Sequence, residues 1–203
     1  MSGSARRRRP VQERARESRE RILAAAGEVF AERGVVGSST NRIAAHAGVS
    51  IGLLYRYFGD KDEIVVELRT RLLAEVEERF TAAVVGGMGL PVREQIGGSM
   101  TAIMHVLSER EALVRALIAE TEMQRFAPID LERRLLLLTR AYLVHQLGPV
   151  AEEVLDRRAQ VMVTTGLAAC FRIALGPLPS ADRDGLIDET ARMIGAWIDA
   201  DRA

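Results

Sequence analysis

The chain has one cysteine, one lysine among its 28 basic residues, and aromatic side chains at only 4% of positions. Each scarcity excludes something. A lone Cys170 allows no internal disulfide and fits a reducing compartment. Few aromatics, with little alternation of Val, Ile and Thr, argue against a β-sandwich or barrel. Long uncharged runs are missing as well. The longest, Gln95 to Ser108, falls short of the ~18 residues a membrane span needs and is interrupted by glycines. The arginines Arg6 to Arg9 lead into no apolar segment, so they open no signal peptide. These readings place the protein in the cytoplasm with no membrane partner. The scarcity of lysine against arginine reads as GC-rich coding and carries no functional weight.

What is present is ordinary for a globular protein: 203 residues, 48% hydrophobic and 28% charged, enough for one large or two small domains with a real core. The net charge of zero is unevenly spread. Residues 1–61 hold 12 Lys/Arg and 6 Asp/Glu, so +6; residues 62–203 hold 16 and 22, so −6. A basic head on an acidic body implies that only the head meets a polyanion.

Apolar periodicity divides the chain into helices. Residues 1–18 lack a core pattern and read as a flexible basic arm. From Arg19 to Arg33, Ile22, Ala26, Val29 and Phe30 recur at helical spacing until Gly34 stops them. Ser38 or Ser39 can cap a short helix that buries Ile43, Ala44 and Ala47 and ends at Gly48. Ser50 can cap another, with Leu54 and Phe58 as its inner face. Asp60 and Glu63 have capping-box spacing at the start of a long helix. Beyond it, long helices follow to the end, separated by the glycine and proline clusters at 86–91, 148–149 and 176–179.

A short helix, a glycine turn and a second short helix packed on a preceding one form a helix-turn-helix, whose second helix fits the DNA major groove. With Leu54 and Phe58 inward, Ile51, Gly52, Tyr55 and Arg56 face outward, and Tyr57 lies at the boundary. Tyrosine hydroxyls and arginine commonly contact phosphate. Lys61, in the first turn of the next helix, adds charge where free N–H groups already favour an anion.

The segments "ILAAAGEVFAERG", "SSTNRIAAHAGVS", "GLLYRYF" and "DKDEI", in that order, resemble the tetracycline-repressor (TetR) family of transcriptional regulators over residues 19–68. The resemblance implies an all-α protein: the arm (1–18), an N-terminal three-helix helix-turn-helix DNA-binding domain (19–65), and a C-terminal helical ligand-binding and dimerisation domain (66–203). It implies that Ser39, Thr40 and Asn41 open the first reading helix. Ser50, Ile51, Gly52, Leu53, Tyr55, Arg56 and Tyr57 then lie on the recognition helix, and Lys61 on phosphate. Two positions depart from the family pattern: Leu53, often threonine, and Arg42, often acidic. The partners implied are a double-stranded DNA operator, a small-molecule effector and a second copy in a homodimer. The function expected is a ligand-responsive regulator, a repressor released by its effector; the alternative is an architectural DNA-binding protein without a ligand.

No cofactor, metal or catalytic residue is expected. The carboxylates of "EEVLD", Glu152 to Asp156, have the spacing of a magnesium–diphosphate motif, but no second acidic cluster faces them, and acids suit a helix's first turn. His46, His105 and His145 are far apart and lack ligand spacing to Cys or carboxylates. In the middle helices, Met88, Met100, Met104, His105, Met123, Phe126, Tyr142 and His145 are candidates for lining an apolar pocket with a few polar handles. On the last two helices, Met162, Gly166 and Cys170 share a face, as do Ile187, Ala191, Ile194 and Ile198, with Leu186, Met193 and Trp197 in an adjacent stripe. Arcs this wide exceed one core contact each, and the first two sets are the expected dimer interface, forming a two-fold four-helix bundle.

Overall fold

A computed structural model describes residues 5–119 and 129–200. Every regular element among them is a helix: α1 (Ala5–Arg33), α2 (Thr40–His46), α3 (Ile51–Tyr57), α4 (Lys61–Gly86), α5 (Val92–Glu109), α6 (Glu111–Ala119), α7 (Ile129–Leu147), α8 (Glu152–Leu175) and α9 (Ser180–Asp199). Within the described residues, no helix is long and apolar enough to cross a membrane, and no group of His, Cys, Asp and Glu could hold a metal ion.

The helices fall into two compact units. The first comprises α1–α3, α4 as far as Arg71, and α6 from Ala112; the second comprises α4 from Leu72, α5, and α7–α9. In the first unit α2 and α3 both pack on α1 and on each other. Ile22, Leu23, Ala26 and Phe30 of α1 are buried, as are Ile43, Leu54, Phe58 and Ile64. Glycines in left-handed backbone end α1 and α2: Gly34 at φ +70° and Gly48 at φ +64°. The turn at Gly48 brings the Val49 N–H back to the Ala44 carbonyl at 3.0 Å. A methyl group at Gly27 of α1 would lie in ordinary contact with Leu113 of α6, at 3.7 Å.

Residues 5–18, expected as a flexible arm, continue α1 as helix. Residues 12–14, 16 and 17 of this extension are exposed. This run is rich in good helix formers such as Arg, Glu, Gln and Ala.

An ionic cluster ties α1 to α4. Arg71 forms two bonds with the Glu20 carboxylate (Nη2 to Oε1 2.8 Å) and donates from Nε to Glu67 Oε1 at 2.9 Å. Arg19 donates to the same Glu67 oxygen at 3.1 Å and lays its guanidinium 5.1 Å from the centroid of the Phe58 ring. Hydrogen bonds from Arg71 hold Glu20 below its ordinary pKa, and bonds from Arg19, then Arg71, do the same for Glu67.

In the second unit, α5 packs against α8 and α9, and α8 against α7 and α9. Small residues set the α5–α9 distance. The tight position is Gly195, where a side chain would crowd the Arg93 backbone at 3.3 Å; one at Gly97 would make only ordinary contact with the Ala191 methyl at 3.6 Å. The Arg93 guanidinium closes the crossing on Asp188 at 2.7 Å. Cys170 is fully buried, and desolvation pushes its thiol pKa up to about 12.

Because Glu20 and Glu67 have depressed pKa values, the stability they add is present above the ordinary glutamate value and is lost as the pH falls through their folded values. Their side chains are partly exposed, so the effect is modest. We expect Arg71→Met to lower the melting temperature by about 1–3 °C at pH 7. The gap from wild type should close as the pH is taken below the ordinary glutamate value, as scanning calorimetry across that range can show.

Candidate functional site

The outward surface of α2 and α3 is assembled by its caps. Ser39 accepts from the Arg42 N–H at 3.3 Å and Ser50 from the Leu53 N–H at 3.2 Å, which starts each helix where its first side chains face out. Ser38, the other candidate cap, is buried instead, and its hydroxyl donates to the Gly34 carbonyl at 2.6 Å. Leu54 and Phe58 turn inward, so Ser50, Ile51, Gly52, Tyr55 and Arg56 are exposed, as are Ser39 and Asn41; Thr40, Leu53 and Tyr57 are half-buried. A hydrogen bond of 3.0 Å between the Thr40 and Tyr55 hydroxyls joins the two helices.

From Gly34 to Gly59 the sequence has no acidic residue. Arg56 projects from α3, while Arg42 reaches back to the Gly37 carbonyl at 3.4 Å and His46 contacts Glu28 at 2.6 Å. The surface is therefore cationic and rich in hydroxyls, which suits a phosphate backbone. A methyl group at Gly52 would meet no atom within 4 Å, as is also true of Gly98, Gly166 and Gly185 in other helices, but Gly52 alone of these lies on the outward face of α3. Helical glycine is unfavourable, and nothing within the protein requires this one.

Lys61 has a second occupation that its spacing did not reveal. Its ammonium donates to the carbonyls of Val35 at 2.8 Å and Ser38 at 3.3 Å, which fastens the turn between α1 and α2 to the start of α4. Two of its three N–H groups are thereby spent. Asp60 caps α4 by accepting from the Glu63 N–H at 2.8 Å, and Glu63 accepts from the Gly59 N–H at 2.7 Å.

The second unit contains a cavity of about 70 Å³ lined by residues of α4, α5, α7, α8 and α9. Of the side chains expected around a pocket, Met100 and Tyr142 line it. Met104 is buried without lining it. His105 is exposed beside Glu109 at 3.3 Å, since it follows Met104 by one position and a helix turns ~100° per residue. His145 and Met88 are exposed too, and Met123 and Phe126 lie outside the described residues. Pattern reading missed Gln95, Ser99 and Thr139, which are buried on the cavity wall. Polar residues in helices read as surface, and only packing shows otherwise.

The faces of the last two helices also need correction. Ile187, Ala191, Ile194, Ile198 and Cys170 are buried within the subunit, and Met162 and Gly166 line its cavity. Because α5 sits close against α9, the isoleucine stripe is consumed by the subunit's own core. Leu186, Met193 and Trp197 stay exposed, with Val161 of α8 exposed and Arg158 placing its guanidinium 5.9 Å from the centroid of the Trp197 ring.

If Lys61 anchors the turn, Lys61→Met should lower the melting temperature of the DNA-free protein by about 2–4 °C, the effect of roughly 1 kcal/mol of lost hydrogen bonding. A lysine whose only partner is phosphate would leave that temperature unchanged.

Comparison with known proteins agrees with this architecture. Residues 22–68, which include α2, α3 and the caps just described, match the family model for bacterial regulatory proteins of the tetR family. The transcriptional regulator HbdR of Aromatoleum sp. (strain CIB) is 37% identical over 70 residues, which span 34% of this chain and 31% of that protein. The transcriptional repressor BepR of Brucella suis biovar 1 (strain 1330) is 28% identical over 171 residues, 84% of this chain and 69% of that one. A TetR-like regulator from Rhodococcus sp. RHA1 superposes with a TM-score of 0.61 at 26% identity, covering 86% of this chain and 93% of that one. A TetR-family regulator from Pectobacterium atrosepticum shares the fold, with a TM-score of 0.66 at 22% identity over 91% and 94% of the two chains. Residues 22–68 thus carry the tetR-family domain of bacterial regulatory proteins, and over most of its length the chain resembles TetR-family transcriptional regulators.

Proposed function

We propose that this regulator is a homodimeric repressor that holds a two-fold DNA operator and is released when a small molecule enters the cavity of its second unit. The observation that carries the DNA half is the acid-free outward face of α2 and α3 with bare Gly52 at its centre. A missing side chain, unexplained by internal packing, suits close approach of a groove wall or phosphate. Tyr55, Tyr57 and Lys61 serve as phosphate partners in this reading, and Asn41 and Arg56 as readers of base edges. Ile51 and Leu53 offer methyls to thymine.

Release is thermodynamic linkage. A ligand that binds the DNA-free arrangement better than the DNA-bound one lowers operator affinity by its difference in affinity for the two. The helix α4 is continuous from Lys61, in the first unit, to Gly86, in the second, where its Phe80 and Val84 line the cavity, and it offers a covalent route between them. Dimerisation falls to the exposed stripe of Leu186, Met193 and Trp197, whose apolar area suits a self-complementary contact.

Two experiments test these assignments. Gly52→Ala should stabilise the free protein by about 0.5–1 kcal/mol and yet weaken operator binding in gel-shift titrations. Unchanged operator binding would remove Gly52 from the contact surface. In sedimentation velocity, Met193→Glu with Trp197→Glu should give folded monomers that fail to fill a two-fold footprint. Ile194→Glu with Ile198→Glu should instead unfold the subunit, seen as lost helical circular dichroism. A dimer that survives the first pair would move the interface elsewhere.

A further inference from the structure

The cavity wall carries an unmet demand at Gln95. Gln95 is 3% exposed and lines it, and its Nε2 donates to the Val84 carbonyl at 2.7 Å. That bond orients the amide, leaving Oε1 buried with no protein donor in reach. Buried acceptors are seldom left so in native proteins, and where they are, a role outside the fold is the first explanation to seek. Among the described residues the remaining polar wall consists of Ser99, Thr139 and Tyr142, and none of the described lining side chains is charged.

Gly166 makes room on the opposing helix. It sits inside α8, where glycine is unfavourable, and a methyl group on it would meet no atom within 4 Å. Packing does not call for glycine here; its effect is to leave the wall recessed.

We propose that the cavity takes a small, uncharged, mainly apolar molecule bearing a hydroxyl, an alcohol or phenol, whose O–H donates to Gln95 Oε1. The assignment deepens the effector reading and rests on it. The described wall disfavours charge, because an anion or cation against it would be buried without a counter-charge among those residues. Size is bounded by the cavity volume of about 70 Å³. An apolar cavity of roughly 150 Å³ holds benzene, so one ring fits only if the flexible Met100 and Met162 side chains on the wall shift.

Calorimetric titration of the full chain with phenol and p-cresol, against toluene, p-xylene and benzoate, tests the assignment. The phenols should bind, the hydrocarbons about tenfold more weakly, as expected for one lost hydrogen bond to a buried group, and benzoate not at all. Gln95→Met should bring phenol down to the level of toluene. Gly166→Leu should abolish binding by filling the recess while the Gln95–Val84 bond is retained. Equal binding of phenol and toluene, preference for benzoate, no binding of either phenol, or phenol binding indifferent to both variants would overturn the proposal. Operator titrations on the same samples separate it from the effector reading. Phenol binding that needs Gln95 but leaves operator affinity unchanged sinks the effector role and keeps the cavity assignment. Release by an anion that ignores Gln95 does the reverse.

Discussion

Helices of seven residues do not persist alone in water, and α2 and α3 have seven each. What sustains them is the burial of Ile43, Leu54 and Phe58 against the Ile22, Ala26 and Phe30 wall of α1. Everything presented outward depends on that small core. Once Leu54 and Phe58 are inside, the 3.6-residue period leaves little choice about which side chains of α3 face away. The Arg19 guanidinium over the Phe58 ring and its bond to Glu67 extend the same anchorage to α4.

Around this core the polar groups divide their work. Those facing inward are committed: Ser38 to the end of α1, Lys61 to the turn, and Glu20, Glu67 and Arg71 to one another. Those on α3 that face outward, with Arg56 among them, are exposed. The second unit inverts the arrangement. Its exterior is acidic and salt-bridged, for example Arg93 to Asp188 and Arg134 to Glu77, while uncharged polar side chains stand inside on the cavity wall. The first unit thus presents a cationic face, while the described wall of the second unit's cavity is uncharged.

Legibility in the sequence followed the physics of each region. Near the N-terminus, caps and glycines are local signals. Gly48, Ser50 and Asp60 announce their helix ends within a few residues, and the first cap was narrowed to Ser38 or Ser39, so element bounds and inward faces could be read closely. The helical content of the rest was equally plain from its period and its glycine–proline breaks. Which of two apolar stripes on α9 is core could not be read, because both are equally hydrophobic. The choice is made by α5, close in space through Gly97 and Gly195 but about a hundred residues away in sequence. Gln95 escaped for the opposite reason, being a polar residue whose amide finds its partner on a different helix. The extension of α1 back to Ala5 was missed because residues 12–17 are largely exposed and show no apolar stripe, only favourable propensity.

The seclusion of Cys170 has a practical side. With its thiol fully buried and its pKa pushed up to about 12, almost none of it is thiolate at neutral pH. Maleimides, nitroxide reagents and peroxide all act through an accessible thiolate. Toward such reagents the native protein behaves as though it had no cysteine. Single cysteines placed on the reading helices or the exposed stripe of α9 would then be labelled cleanly, without first mutating a core residue. Distance spectroscopy on such labelled variants therefore starts from the unaltered fold.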